Sequence, residues 1–445
     1  MLLEKTYLPV INFIYDRIKR LDEKTRKAII IICVAVEVLS TYIYQCDEFF
    51  GFIYYAMPNF MVGAVCFTGI IIAGIDCRIE EIKVKKWPVY LMMLCGAAVF
   101  ISGIHHFITY SYMIMGLFML LMMPAFLIVW GGRRDFDRLF GTIAGTITIF
   151  FIAFVIVNCI LAPIGAPEFS TGGRYFGVAA DPNGLAKIAV TACICSIYMV
   201  ATKKGAWKIP FAVVFLTAVV FTVLTASRTN LMALILICIA ALIFLIKSYV
   251  CGRGYSVRRI IAISCILVIA AAGAAIISGS SGEDGYVSII KARLSQGVFE
   301  DGTVDINALS SGRIEIWEFC LSKTSVTGND VSNGMQDDLI VIDNDHAHNT
   351  VIELLYRSGI IAGICFLIIE LYCAVWTARA IFAGRRNSPA EMMASLLMIA
   401  FIMASIFDIV VLPFAKMTTF LFYFSLPVVF AKNECERQVL INEEQ

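Results

Sequence analysis

The sequence predicts an all-α, polytopic membrane protein with about twelve transmembrane helices and one large external loop between helices nine and ten. Composition is the first observation: hydrophobic residues make up 60% of the 445-residue chain, charged residues 16%, and the mean hydropathy is +0.84. A soluble protein is closer to half apolar and about a quarter charged. Second, apolar runs of about 20 residues, long enough to cross a bilayer, recur along the whole chain. One soluble core could not bury this much apolar surface.

The predicted spans follow one another with short connections, except before the tenth. They lie near 28–45, 59–76, 88–107, 111–130, 141–162, 184–202, 209–226, 230–248, 258–278, 348–376, 390–411 and 416–431. The first residues differ, because apolar and charged side chains alternate there at helical spacing, which is typical of a helix lying on the membrane surface. The predicted organisation is 1–27 as an amphipathic N-terminal segment, 28–278 as helices one to nine, 279–347 as the external loop, 348–431 as helices ten to twelve, and 432–445 as a tail.

Loop charge predicts the orientation of the chain. Cytoplasmic loops of membrane proteins carry an excess of Lys and Arg. With the N-terminus inside, 26 of the 35 basic residues fall in the segments 1–27, 77–87, 131–140, 203–208, 247–259, 379–386 and 432–445. We therefore expect both termini in the cytoplasm and the remaining loops outside.

The large external loop is strongly acidic. Residues 279–347 contain 12 Asp and Glu against 4 Lys and Arg, a net charge of −8. Apolar residues near its centre favour an ordered structure, with short helices expected near 287–296 and 311–324. Ser310 or Ser311 is expected to cap the second of these helices, because a serine hydroxyl accepts a hydrogen bond from a free backbone N–H at a helix start.

Three arginines are predicted on the outer face, each in a different loop. Arg174 lies in TGGRYFGVAADPNGLA before the sixth span, Arg228 in the tight turn TASRTN, and Arg313 in SSGRIEIW. The planar, permanently charged guanidinium suits phosphate, so the grouping indicates an anionic substrate such as a lipid diphosphate. The alternative is that each arginine pairs with a local carboxylate (Glu315 or Glu318 for Arg313) or extends to lipid headgroups.

A histidine stands where the large loop ends and the tenth span begins. Neutral imidazole, with an unperturbed pKa of about 6.5, can act as a base toward a sugar hydroxyl. We therefore regard His348 as the candidate base; the alternative is a residue at a helix start that bonds only to backbone or water. His346 is the second candidate for this role, and Asn349 could orient either histidine.

Polar residues at the start of the sixth span have structural and functional interpretations. Asp181 followed by Pro182 is typical of a helix start, with the aspartate as cap and the proline in the first turn. The alternative is that Asp181 and Asn183 line the substrate site. Lys187 either extends to the membrane surface or adds positive charge near a diphosphate. Carboxylates within a membrane are functional candidates by default, and those predicted in or near spans are Glu37, Glu353, Glu370 and Asp408.

Metal ions and nucleic acids are not predicted as ligands. The net charge is +1, and the 15 cysteines and 4 histidines include no CxxC and no HExxH pattern. Most of the cysteines lie in apolar runs, where they behave as small hydrophobic residues. We therefore expect neither a metal site nor a cofactor.

Four stretches of the chain resemble the O-antigen ligase and O-antigen or capsular polysaccharide polymerase family of bacterial membrane glycosyltransferases. They are RYFGVAADPNGLA (174–186), TASRTNLMALI (225–235), SGRIEIW (311–317) and HNTVIELLYRSGIIAG (348–363). The resemblance covers roughly residues 140–412, and the span number and the large loop before the tenth span agree with it. Many family members have a second glycine three residues after the first, whereas here Gly359 is followed at that distance by Ala362 and then by Gly363.

The resemblance implies a metal-independent, inverting glycosyltransferase of the bacterial cytoplasmic membrane. Such enzymes move glycan from an undecaprenyl-diphosphate donor to a hydroxyl of a glycan, lipid or protein acceptor during assembly of cell-envelope polysaccharide, capsule or exopolysaccharide. By motif, Arg174, Arg228 and Arg313 would bind the diphosphate, with Lys187 as a further candidate. His348, together with Arg313, would form the catalytic centre on the outer face. The motifs fit a polymerase and a ligase equally well.

Other classes of membrane protein also fit the hydropathy pattern. A multi-span secondary transporter often consists of two similar halves, but no internal repeat is visible here. A flippase for lipid-linked glycans would share the ligand, yet it would need charge along a path through the membrane rather than on one face. A non-catalytic sensor or scaffold leaves the grouping of arginines and histidine unexplained.

Overall fold

The fold is a bundle of apolar α-helices with almost no β-structure. The computed structural model describes residues 2–46, 59–106, 110–131, 136–164, 167–171, 173–250, 292, 296, 305–329, 346–383, 387–414 and 416–432. Within these ranges the only sheet is an antiparallel hairpin of β1 (Ser170–Thr171) and β2 (Arg174–Tyr175).

The helices follow one another along the chain with short turns between them. They are α1 (Leu2–Ile18), α2 (Glu23–Gln45), α3 (Asn59–Gly74), α4 (Lys86–His105), α5 (Tyr110–Leu117), a π-helical turn (Phe118–Met122), α6 (Met123–Trp130), α7 (Phe136–Leu161), α8 (Pro182–Thr202), α9 (Ile209–Leu224), α10 (Arg228–Val250), α11 (Ile306–Ser310), α12 (Arg313–Ser322), α13 (Thr350–Ser358), α14 (Ile360–Phe382), α15 (Pro389–Phe407) and α16 (Met417–Val429). Single-turn 3₁₀ helices lie at Pro167–Phe169 and Gly205–Lys208.

Nine helical stretches of the described residues are long and apolar enough to cross a membrane, and α3 and α16 are shorter apolar helices. This confirms the predicted class, an all-α, multi-pass membrane protein. Eleven of the predicted spans coincide with apolar helices of the structure. The predicted span 258–278 and the predicted helix near 287–296 lie outside the described residues, apart from two isolated positions. The count of twelve therefore stays a prediction.

The predicted span 348–376 is wrong as a single helix, because it is broken at Gly359 into α13 and α14. Gly359 has φ +91°, and a side chain there would overlap the carbonyl oxygen of Val326. Gly328 faces it with φ +86°, and a side chain at that position would overlap the carbonyl oxygen of Arg357. The loop that follows α12 thus passes directly against the break, at a distance that only glycine permits.

Gly312, and not a serine, is the N-cap of α12. Gly312 has φ +78° and offers no side-chain cap, while Ser311 has φ +60° and is the C-cap of α11. Ser310 contributes only a 3.4 Å bond to the N–H of Ile314. The predicted serine cap is therefore wrong, because the sequence pattern did not separate α11 from α12.

The core of the bundle is centred on α8, α15 and α16. Almost every residue of these helices is buried, and Phe401 of α15 stacks on Phe422 of α16 with ring centroids 3.7 Å apart. Large apolar side chains of the outer helices remain exposed, as expected for surfaces in contact with lipid; among them are Val65, Ile149, Ile160 and Ile235.

The two ends of the bundle keep the loops in the two groups that loop charge predicts. At one end, contacts join segments predicted to be cytoplasmic: Arg78–Asp16, Arg138–Glu23, Lys432–Glu81 and Lys247 with the carbonyl of Ala380. At the other end, contacts join segments predicted to be external: Arg174–Thr225, Arg228–Ser311 and Thr350–Asp408. Which end faces the cytoplasm stays a prediction, as does the position of α1 relative to the lipid.

Candidate functional site

Helix α12 is fixed against the segment that carries the two candidate histidines. The indole Nε1 of Trp317 donates a 2.8 Å hydrogen bond to the carbonyl of Ala347, the residue between the histidines. Beneath it lies a small apolar cluster of Ile316, Cys320, Ala347 and Tyr356, with Phe319 and Ile352 at its edge. This packing brings the start of α12, with Arg313, to the start of α13.

Arg313 is half-buried and lies among other cations. Its guanidinium lies 5.9 Å from the centre of the Phe407 ring. Burial lowers the pKa of Arg313 and the nearby Arg228 lowers it further, while Asp408 opposes the change. Within the described part of the chain Arg313 forms no ion pair with Glu315 or Glu318, which are exposed. The alternative that a local carboxylate neutralises this arginine is therefore not supported.

His348 has a constrained backbone and a half-buried side chain. Its φ is +47°, in the left-handed region that is uncommon for residues other than glycine and often marks functional sites. Burial lowers the pKa of His348, and Arg313 lowers it further. The side chain is therefore neutral at neutral pH. It precedes α13 rather than belonging to it, which corrects the prediction that the span begins at residue 348.

Asn349 is structural rather than a partner of the histidines. Its Oδ1 accepts the N–H of Ile352 at 3.0 Å and caps α13, while its Nδ2 donates to the carbonyl of Ile406 at 3.1 Å. Both ends of the amide are thus used to join α13 to the end of α15. His348 is consequently held directly beside the loop that follows α15.

Arg174 is held by a network centred on Asn183. The Nε of Arg174 donates to the carbonyl of Thr225 at 2.9 Å, and its Nη2 donates to Asn183 Oδ1 at 3.0 Å. Ser227 Oγ donates to the same Oδ1 at 2.9 Å, and Asn230 donates to Ser227 Oγ at 2.9 Å. The turn that precedes Arg228 is thus fixed to the hairpin that carries Arg174. The sequence prediction did not include Ser227 or Asn230.

Arg228 extends from this turn to the large loop. Its Nη2 donates a 2.7 Å hydrogen bond to Ser311 Oγ, at the junction of α11 and α12. Because Ser311 stands two residues before Arg313, the contact brings the second and third predicted arginines into one place. Together with the previous network, it joins all three arginine motifs at one end of the bundle.

Lys187 shares one carboxylate with a second lysine that the sequence prediction missed. Lys187 forms an ion pair with Asp408 Oδ2, and Lys416 Nζ lies 3.2 Å from the same oxygen. Although burial raises it, the two ammonium groups hold the pKa of Asp408 far below its usual range. Burial and Lys187 lower the pKa of Lys416 to about 8. Two cations with one carboxylate leave this cluster with a positive charge at neutral pH.

The structure confirms Asp181 as the cap of α8. Its Oδ1 accepts the N–H groups of Asn183 and Gly184 at 2.7 and 3.0 Å, and Pro182 stands in the first turn. Lys416 was missed because it was counted as the first residue of the last span. Its charge at a span boundary was the signal that could have identified it.

The other carboxylates singled out in the sequence do not join this cluster. Glu37 and Glu370 are buried within α2 and α14. Glu353 is buried in α13 and pairs with Arg357 of the same helix. Over the described ranges no group of three or more His, Cys, Asp or Glu side chains is arranged to hold a metal ion.

The site as a whole is a half-buried group of cations next to a neutral histidine. Five cationic side chains and one carboxylate meet there: Arg174, Arg228, Arg313, Lys187 and Lys416 with Asp408. Such a site favours an anion with several oxygens. No protein-family model and no curated protein sequence matches this chain. The fold defines the class, a multi-pass α-helical membrane protein, and the site's chemistry has to supply the rest.

Proposed function

We propose that this protein is a membrane glycosyltransferase that moves glycan from an undecaprenyl-diphosphate-linked donor to an acceptor hydroxyl. The observation that carries the proposal is the meeting of Arg228, Arg313 and His348, from three distant segments, at one end of a membrane bundle. A lipid diphosphate is the anion that such a position fits, because its lipid stays in the bilayer while its charged group reaches the bundle end.

The cations have separable roles in this proposal. Arg313 and Arg228 bind oxygens of the diphosphate, because they lie next to each other and a bound anion relieves their repulsion. Arg174 supports the same anion from the neighbouring hairpin. Lys187 and Lys416 add positive charge through their shared carboxylate. As the bond to the sugar breaks, negative charge grows on the leaving diphosphate, and fixed cations stabilise it.

His348 acts as the base in this proposal. The acceptor hydroxyl oxygen attacks the anomeric carbon, its proton passes to the neutral imidazole, and the bond from that carbon to the diphosphate oxygen breaks. One displacement of this kind inverts the configuration at the anomeric carbon. The lowered pKa of His348 supports the role, because the imidazole is then unprotonated at neutral pH. The diphosphate is a good leaving group, so its departure needs no protonation.

The membrane arrangement belongs to the same proposal. We infer a bacterial cytoplasmic membrane protein with about twelve spans, both termini cytoplasmic, and the site on the outer face. The distribution of Lys and Arg supports this orientation, and so does the grouping of the loops at the two bundle ends. The product would enter surface polysaccharide assembly, by polymerisation or by ligation to an acceptor.

Glycan transfer by the purified, detergent-solubilised protein tests the proposal. The donor is a synthetic undecaprenyl-diphosphate oligosaccharide, and His348→Ala and Arg313→Ala are compared with the wild type. Matched controls are His105→Ala and Lys323→Ala, which remove an exposed histidine and an exposed cation away from the cluster. We expect transfer by the wild type and both controls, and its loss in the two site variants.

The products distinguish the forms of the activity. A ladder of longer lipid-linked glycans identifies a polymerase, and a single product on a supplied acceptor identifies a ligase. Transfer that survives in both site variants contradicts the assignment of the site. Absence of transfer with every donor, together with movement of the lipid-linked glycan across proteoliposome membranes, assigns the protein to the flippases instead.

A further inference from the structure

A buried ion pair lies directly beneath His346. The carboxylate of Glu353 is fully buried, with an exposure of 0%, and pairs with the guanidinium of Arg357 one helical turn away. Its Oε1 also accepts the hydroxyl of Tyr112 at 3.0 Å, and its Oε2 accepts the backbone N–H of Ala347 at 2.8 Å. A buried carboxylate is stable only when its oxygens are satisfied in this way. Glu353 therefore anchors the chain between the two histidines.

Arg357 also makes a second contact, with the ring of His346. Its Nη2 lies 3.2 Å from His346 Nδ1, whereas that nitrogen lies 3.6 Å from Glu353 Oε1. The first distance is that of a hydrogen bond and the second is longer than one. A guanidinium has donors only, so Nδ1 must accept with its lone pair. In the neutral ring the proton is then on Nε2.

We infer that Arg357 holds His346 as the Nε2–H tautomer, so that His346 is a hydrogen-bond donor to the substrate and not a base. Its side chain is 53% exposed at the site end of the bundle, two residues before His348. A ring nitrogen that carries a proton cannot accept one. The two histidines therefore divide the work: His348 takes the proton of the acceptor, and His346 binds a substrate oxygen.

The assignment of the tautomer is independent of the proposed function, while the role of His346 toward substrate rests on it. The groups that face the imidazole from the surrounding elements are Glu353 and Arg357 of α13, Tyr112 of α5 through the shared carboxylate, and His348. Of these, Arg357 makes the shortest contact with the ring. A simple carboxylate–histidine pair would give the opposite tautomer, which makes the inference testable.

Solid-state NMR of the full-length protein in bilayers tests the tautomer. The protein is labelled with ¹³C and ¹⁵N at its 4 histidines only, and His346→Gln identifies the His346 signals by their loss. At a pH well above the usual histidine pKa, we expect a protonated Nε2 and an unprotonated Nδ1 for His346. A proton on Nδ1, bonded toward Glu353, would overturn the inference.

Glycan transfer by two variants of His346 tests the role. Glutamine keeps an N–H donor near the Nε2 position and cannot act as a base, whereas leucine removes the donor. We expect His346→Leu to lower kcat/KM about tenfold or more, mostly through a higher KM for the lipid-linked donor, because one hydrogen bond to a charged group is lost. The loss in His346→Gln should be several times smaller, with the acidic limb of the pH profile retained.

The comparison with His348 separates a donor from a base. His348→Gln should remove transfer almost completely, because glutamine cannot take up a proton. If His346→Gln is as inactive as His348→Gln, His346 is the base and the inference is wrong. If the wild-type protein transfers no glycan at all, the proposed function has failed, and the NMR spectrum alone then decides the tautomer.

Discussion

His348 differs from an exposed histidine in the state that its surroundings impose. Burial and the cationic Arg313 both disfavour a second proton on its ring, so the side chain is neutral where a free imidazole would be partly charged. The backbone at φ +47° fixes the direction of the side chain. Both features depend on residues distant in sequence, and neither is visible in the motif itself.

The first prediction concerns the pH dependence of glycan transfer. Because the pKa of His348 is lowered, the neutral base persists as the pH falls, and activity should decline only below a pH of about 6.5, the usual histidine value. Arg313→Gln removes one cause of the lowering, so the midpoint of the acidic limb should move to higher pH. The pH profiles of kcat/KM for the wild type, Arg313→Gln and Lys323→Gln measure this, and only the first variant should shift the midpoint.

The second prediction concerns the carboxylate shared by two lysines. Asp408→Asn leaves Lys187, whose side chain is 6% exposed, without its partner, and removing one member of a buried ion pair costs about 3 kcal/mol. Lys416→Met removes the more exposed lysine, at 28%, and should cost about 1 kcal/mol or less. Thermal unfolding of the purified protein compares them. Equal losses from the two variants would contradict the arrangement.

The stabilisation from Asp408 has a defined pH window. Its pKa is lowered in the folded protein, so the contribution is fully present above the unfolded value of about 3.9. It is lost as the pH falls through the lower, folded value. In Asp408→Asn, the loss of stability relative to the wild type should therefore be constant from neutral pH down to that window.

At the scale of elements, the contact between the loop after α12 and the break before α14 decides where the large loop stands. The N–H of Ile360 donates to the carbonyl of Ser325 at 3.0 Å, and Asn329 Nδ2 donates to the carbonyls of Lys323 and Tyr356, each at 2.9 Å. Gly328 and Gly359 permit this approach. The glycine of the HNTVIELLYRSGIIAG motif thus has a structural explanation, because it allows α12 to lie against α13.

The third prediction tests that explanation. Gly359→Ala places a side chain at φ +91° against the carbonyl of Val326, so backbone strain of about 1–3 kcal/mol adds to the overlap. Gly205→Ala is the matched control, because Gly205 has φ +60° with open space around its position and should cost about 1 kcal/mol. Thermal unfolding should show a clearly larger loss for Gly359→Ala, accompanied by loss of transfer. Equal effects of the two variants would contradict the close approach.

At the scale of the whole molecule, the segregation of loops makes the orientation testable. The fourth prediction uses single cysteines in a background from which the native cysteines have been removed. Glu315→Cys lies on the exposed face of α12, and Lys203→Cys lies in an exposed loop predicted to be cytoplasmic. In intact cells a membrane-impermeant maleimide should label residue 315 alone, and residue 203 only after permeabilisation. The reverse pattern would invert the topology and place the site in the cytoplasm.

Hydropathy and loop charge predicted the class of the fold well. Eleven predicted spans coincide with apolar helices, because a run of apolar residues and its flanking charges are local properties of the chain. The pattern failed where an element is defined by something beyond itself. The span at 348–376 was taken as one helix, since the loop that requires the break at Gly359 is invisible to hydropathy.

The candidate site was predicted in part. Arg174, Arg228, Arg313 and His348 were identified from residue type and predicted side, and the structure brings their segments together. The partners of these residues were not predictable in the same way. Lys416 was hidden at a span boundary, and Asn349 was expected to orient a histidine but caps α13 instead.

The sequence by itself determined that this chain is an all-helical membrane protein with its arginine motifs and candidate histidines in loops of one group. Those conclusions follow from composition, spacing and charge, which need no knowledge of the fold. Only the tertiary structure decided which charges meet. Lys187 and Asp408 are 221 residues apart, and Arg357 reaches His346 across the start of a helix. Such pairings depend on how the helices pack, because burial and distance, rather than order along the chain, set the charge and the proton position of each group.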